Sequence, residues 1–122
     1  MPNISQLVVD LDWQGATVTL HCAGVVDMLT APDLERRISE ALVQNPSAMI
    51  IDLTLVDFIS SGGLWVLLDT HKKRSSTMTL AVVADGPATL RPMKLMGLTD
   101  ILTVRTSMED ARDDVAMPEP AR

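Results

Sequence analysis

The amino-acid sequence predicts an α/β fold: one domain over residues 1–116 with a mixed, mostly parallel sheet of about five strands and about four helices, then a flexible tail over 117–122. Three features predict it. The chain opens with two β-branched, partly alternating stretches around a short break, the pattern of an antiparallel hairpin. From residue 30 onward, helical periodicities alternate with short apolar runs, the order that extends a sheet by crossovers. Lastly, Ala48-Met49-Ile50-Ile51-Asp52-Leu53 is almost continuously apolar, as expected of a central strand covered on both faces. The length, 122 residues, suits a single domain, and 47% hydrophobic against 21% charged residues is core material beyond the range of a disordered chain.

Taken in order, Leu7 to Trp13 and Thr17 to Cys22 are the hairpin strands, with Gln14-Gly15-Ala16 as the turn. Thr30-Ala31-Pro32-Asp33 starts a helix: Thr30 is the expected cap, Pro32 suits the first turn, and Asp33 has capping-box spacing and favours the positive end of the dipole. Leu34, Ile38, Ala41 and Leu42 form its apolar stripe, Glu35, Arg36, Arg37 and Glu40 cover the other side, and Asn45-Pro46 ends it. After the strand at 48–53, residues 54–59 read as a turn leading to Ser60-Ser61-Gly62-Gly63. A second helix comes next, with Leu64, Leu67, Leu68 and His71 on one stripe and Lys72-Lys73-Arg74 at its negative end. Strand 78–83, a short helix from Pro87 to about Leu95, strand 101–104 and a helix capped by Thr106 or Ser107 through about Val115 complete the order.

Composition narrows the function. The formal charge of −6 disfavours binding to a phosphate backbone, and three aromatics (Trp13, Phe58, Trp65) make no base-stacking platform, so nucleic acid is not an expected direct partner. One cysteine, Cys22, and two distant histidines, His21 and His71, supply neither a disulfide framework nor a zinc cluster, and no metal site or cofactor is expected. The first residues lack a basic region followed by a long apolar run, and no apolar run approaches the ~20 residues that span a bilayer, so a cytoplasmic protein without membrane insertion is expected.

Two segments carry a functional signal. The stretch from Ile50-Ile51-Asp52-Leu53 through Val56-Asp57-Phe58-Ile59-Ser60-Ser61-Gly62-Gly63-Leu64-Trp65 resembles the signature of the STAS domain, the anti-sigma factor antagonist family, and Gly24-Val25-Val26-Asp27 with Thr30-Ala31-Pro32 is similar to the loop before that family's first helix. The resemblance runs from about residue 7 to 114 and implies a STAS-like fold. It places Ser61 on the serine that such antagonists use as phosphoacceptor, with Ser60 as the alternative. It further implies a partner-binding surface drawn from Asp27, Thr30, Asp57, Ser60, Gly62, Gly63 and Trp65. Three positions depart from the family: Ser60 stands where Asp is usual, Gly62 where a second Ser is usual, and Trp65 where a small Gly is usual.

The residues themselves agree with an anion at this point, because a hydroxyl at a helix start lies beside free backbone N–H groups and the positive end of the dipole. The simpler reading of Ser61 is an N-cap, of Asp27 a turn carboxylate bonding its own backbone, and of Trp65 a partly buried helix residue. Trp65 reads otherwise as a partner anchor, since Leu64, Leu67 and Leu68 already supply the core stripe.

By the resemblance, the chain is a partner-switching regulator rather than an enzyme. It binds an anti-sigma factor of the serine-kinase type when unphosphorylated and is released by phosphorylation, with a serine phosphatase reversing the mark. One alternative is a non-phosphorylated STAS subunit of a stress-signalling or lipid-transport assembly. Another, from a different class, is a phosphoaspartate receiver or small enzyme holding magnesium on Asp10, Asp12 and Asp52.

Overall fold

The computed structural model describes residues 6–116, so the expected tail at 117–122 lies outside the described residues. Five strands form one sheet in the order β1-β2-β3-β4-β5: β1 (Leu7–Gln14), β2 (Thr17–Val26), β3 (Ala48–Ile59), β4 (Thr79–Val83) and β5 (Val104–Arg105). The first pair is antiparallel and the remaining three are parallel. The β1–β2 turn leaves Gly15 and Ala16 between Gln14 and Thr17, with Gly15 at φ 61°, the positive φ that a type II′ hairpin asks of its first central residue.

Between parallel strands the chain crosses over through helices α1 (Ala31–Val43), α2 (Ser61–Lys73) and α3 (Leu90–Leu95), and α4 (Met108–Ala116) ends the described fold. Side chains alternate along the strands, so the sheet has two different faces. Val18, Leu20, Met49, Ile51, Leu53 and Val82 meet Leu34 and Ile38 of α1, Leu64 and Leu67 of α2, and Met93 of α3 in the main core. On the opposite face Ile50, Ala81 and Val83 pack against Ala111 of α4.

Four boundaries differ from the sequence reading. Residues 54–59 are extended rather than a turn: β3 continues to Ile59, paired with β2 at Leu55, Val56, Phe58 and Ile59 across two register shifts. This segment has no glycine or proline to reverse the chain, and its β-branched and aromatic residues suit a strand. β2 likewise runs on to Val26 rather than ending at Cys22. The third helix begins at Leu90 rather than Pro87. The last strand is Val104–Arg105 rather than 101–104, because a 3-10 turn at Leu98–Asp100 succeeds Gly97 and Leu102 is drawn into the core.

The extension of β3 shapes one end of the molecule. Pairing with β4 stops at Asp52↔Val83, whereas pairing with β2 continues to Val26↔Ile59. The ends of β2 and β3 therefore project past the rest of the sheet as a two-stranded ribbon, and both lead into helices.

Candidate functional site

At the tip of this ribbon the Ser60 N–H donates to Val26 O at 2.8 Å, which joins the β3–α2 turn to the β2–α1 loop. The two segments singled out in the sequence are thereby brought together. Asp27 organises the second of them: its Oδ1 accepts from the N–H groups of Leu29 (2.9 Å) and Thr30 (3.0 Å). This is the turn-carboxylate arrangement. Thr30 occupies the N-cap position of α1, but its hydroxyl does not cap. It donates to Val25 O at 2.8 Å and accepts the Asp27 N–H at 2.9 Å, so it ties the loop to the strand behind it.

The N-cap of α2 is Ser60, not Ser61. Ser60 has extended backbone (φ −84°, ψ 172°), and its Oγ accepts the Gly63 N–H at 3.2 Å. Ser61 is consequently the first helical residue; it is exposed, and its hydroxyl makes no hydrogen bond among the described residues. The capping role in the simpler reading of Ser61 thus falls to its neighbour, and the Ser61 side chain is left exposed.

Beneath these serines, Gly63 is buried. A Cβ there would lie 2.6 Å from Val26 Cγ1 and 2.7 Å from Ile59 Cγ1, so only glycine lets α2 come this close to the ribbon. At Gly62 a Cβ would meet only Ser60 Oγ at 3.6 Å, an ordinary contact, so the serine usual at this place in the family has room. Among the residues expected to form a binding surface, Asp57, Ser61 and Trp65 are exposed, and Asp27, Ser60 and Gly62 are part-exposed. Thr30 and Gly63 are buried and support that surface from below.

Trp65 is 59% exposed one turn after Ser61, and Lys72 Nζ stands 5.2 Å from its ring centroid, a cation–π distance that helps to hold the indole. A groove of about 740 Å³ runs between α1 and α2 beside it, lined by Met28, Ala31, Pro32, Glu35, Ser60, Ser61, Gly62, Trp65, Val66 and Asp69. A second groove of about 370 Å³ lies on the other side of Ser61 and Trp65, against Met96 and Leu98. Exposed Met28, Leu29, Leu55, Phe58 and Met96 add apolar surface around the same end of the molecule. Glu35, Asp69 and Met28 escaped the sequence reading because each alone looks like an ordinary solvated helix or loop position.

Two of the three acids considered for magnesium, Asp12 and Asp52, have other partners. Asp52 is buried; its Oδ2 faces His21 Nδ1 at 3.0 Å, and its Oδ1 accepts from the N–H and the hydroxyl of Thr54. Asp12 approaches the other nitrogen of His21 at 3.8 Å. Among the described residues no group of three His, Cys, Asp or Glu side chains is placed to hold a metal ion. Cys22 is buried in the core, and that burial, with the Asp52 charge as a lesser cause, pushes its thiol up to about 12. No helix among the described residues is long and apolar enough to cross a membrane.

Comparison with known proteins shows the family and the fold. The STAS domain family model matches residues 8–111, and the chain belongs to that family. It is 39% identical over 100 residues to the anti-sigma-F factor antagonist RsfB of Mycobacterium tuberculosis, covering 82% of this chain and 81% of that protein. It is 29% identical over 91 residues to the anti-sigma-B factor antagonist of Listeria monocytogenes, covering 72% of this chain and 78% of that one. The fold superposes with a TM-score of 0.88 and 33% identity on the crystal structure of an anti-sigma factor antagonist from Mycobacterium paratuberculosis, covering 91% of this chain and 95% of that one.

Proposed function

We propose that this protein is an anti-sigma factor antagonist: unphosphorylated, it binds an anti-sigma factor of the serine-kinase type and frees a sigma factor for transcription; phosphorylated on Ser61, it lets go. The likeness to antagonists of Mycobacterium and Listeria supports the class. The observation that carries the residue assignment is the division of labour between the two serines. Ser60 Oγ is engaged by the Gly63 N–H, whereas Ser61 Oγ is exposed and uncommitted beside an exposed tryptophan.

The mechanism is local electrostatics. A phosphate adds roughly −1.5 to −2 charge at one oxygen. It takes the chain from −6 to about −8. On Ser61 it stands at the N-terminal end of α2, where the helix dipole tolerates it, so the antagonist itself need not unfold. A partner surface fitted to a neutral hydroxyl meets a bulky dianion instead, with Asp27 and Asp57 nearby on the two joined segments adding like charge. ATP and magnesium belong to the kinase partner, a separate phosphatase restores the serine, and this chain acts by binding and performs no catalysis of its own.

Incubation with the cognate kinase and ATP, followed by mass-spectrometric mapping, tests the assignment. Phosphate is expected on Ser61 in the wild type and in Ser60→Ala, and none in Ser61→Ala. Equal labelling of wild type and Ser61→Ala contradicts it and favours Ser60 or a non-phosphorylated role within a larger assembly.

A further inference from the structure

The groove between α1 and α2 is chemically graded. Both helices start at the ribbon, so Ser61, Met28, Ala31 and Pro32 lie at one end of it, Trp65 and Glu35 a turn further, and Asp69 a turn beyond them. From the helical rise, Asp69 is about 12 Å along α2 from Ser61. Apolar side chains line the near part, Glu35 on α1 and Asp69 on α2 place carboxylates on the two walls further along, and no lysine or arginine is among the lining residues. Glu35 has no hydrogen bond or ion pair among the described residues, and Asp69 meets only Lys73 at 3.3 Å, a half-exposed pair of the kind that contributes little.

We propose that this groove seats a cationic amphipathic segment of the anti-sigma partner, whose apolar side chains lie on Met28, Pro32 and Trp65 while a lysine or arginine reaches Glu35 and Asp69. The inference rests on the antagonist reading above and adds the chemistry of the bound segment. Charge complementarity selects this occupant: an acidic segment is repelled, and a neutral one leaves Glu35 partly desolvated without a counter-charge and Asp69 with only its exposed Lys73 pair. The spacing also separates the two functions of the groove. At physiological salt the Debye length is about 8 Å, shorter than the span from Ser61 to Asp69, so a phosphate on Ser61 does little to a cation held at Asp69. The acids therefore set affinity and salt dependence, and Ser61 sets the switch.

The test is the affinity of the purified kinase partner of the source cell for wild-type chain, for the isosteric Glu35→Gln/Asp69→Asn double variant and for Ser61→Glu, each at low and high salt. Neutralising the acids is expected to weaken binding about tenfold at low salt, with a much smaller loss at high salt. If the double variant binds like the wild type at both salts while Ser61→Glu binds weakly, the groove proposal is overturned and the antagonist reading stands. If Ser61→Glu also binds like the wild type, or no kinase partner binds, both are overturned. A wild-type dimer that the double variant abolishes would assign the groove to a second copy of this chain and overturn the proposal as well.

Discussion

Replacing Ser60 by alanine removes the oxygen that accepts the Gly63 N–H, while replacing Ser61 removes a hydroxyl that is exposed and makes no hydrogen bond among the described residues. The two adjacent substitutions should therefore part company in a urea titration. Ser60→Ala is expected to cost about 0.5–2 kcal/mol, the range for lost N-caps. Ser61→Ala should stay within about 0.5 kcal/mol of the wild type. The reverse ranking would mean that Ser61 is the cap and that the outward-facing hydroxyl belongs to Ser60. In the sequence these serines are hard to tell apart, since either can start a helix. Their roles are decided by the Val26 O to Ser60 N–H bond, a contact between segments 34 residues apart in the chain.

α2 is positioned by the lack of a side chain. Gly63→Ala puts a methyl carbon within 2.7 Å of both Val26 and Ile59, so α2 must lift from the ribbon, at an overpacking cost of about 1–3 kcal/mol. Gly62→Ala meets nothing closer than 3.6 Å and should gain about 0.5–1 kcal/mol from helix propensity. Thermal unfolding of the pair checks this, and equal midpoints would refute the close approach. The hairpin, the α1 and α2 stripes and the apolar part of β3 were legible in the sequence because burial imposes a period on each of them. The stretch 54–59 was not: its buried residues, Val56 and Ile59, are three apart across a register shift, so the period-two signature of a strand is broken there. The acidic end of the groove was illegible for a different reason. Glu35 sits on the polar side of α1 as a sequence, and only the packing of α1 beside α2 turns that side toward Asp69.

For the molecule as a whole, the net charge of −6 and the projecting ends of β2 and β3 acquire a joint meaning. The ribbon carries the ends of β2 and β3 past the sheet, and the surface it holds out combines exposed apolar side chains, acidic groups and one uncommitted hydroxyl. The opposite face, with α4 across β3 and β4, has no comparable concentration of exposed apolar residues among those described. On the proposed reading, a single added phosphate at the tip governs binding without any change in the core. The most direct measurement of this is calorimetric: titrate the purified kinase partner with the chain before and after stoichiometric phosphorylation of Ser61. Phosphorylation is predicted to weaken binding at least about tenfold, equivalent to about 1.4 kcal/mol, while the unfolding midpoint of the antagonist stays nearly unchanged. Equal affinities of the two forms would contradict a switch at Ser61.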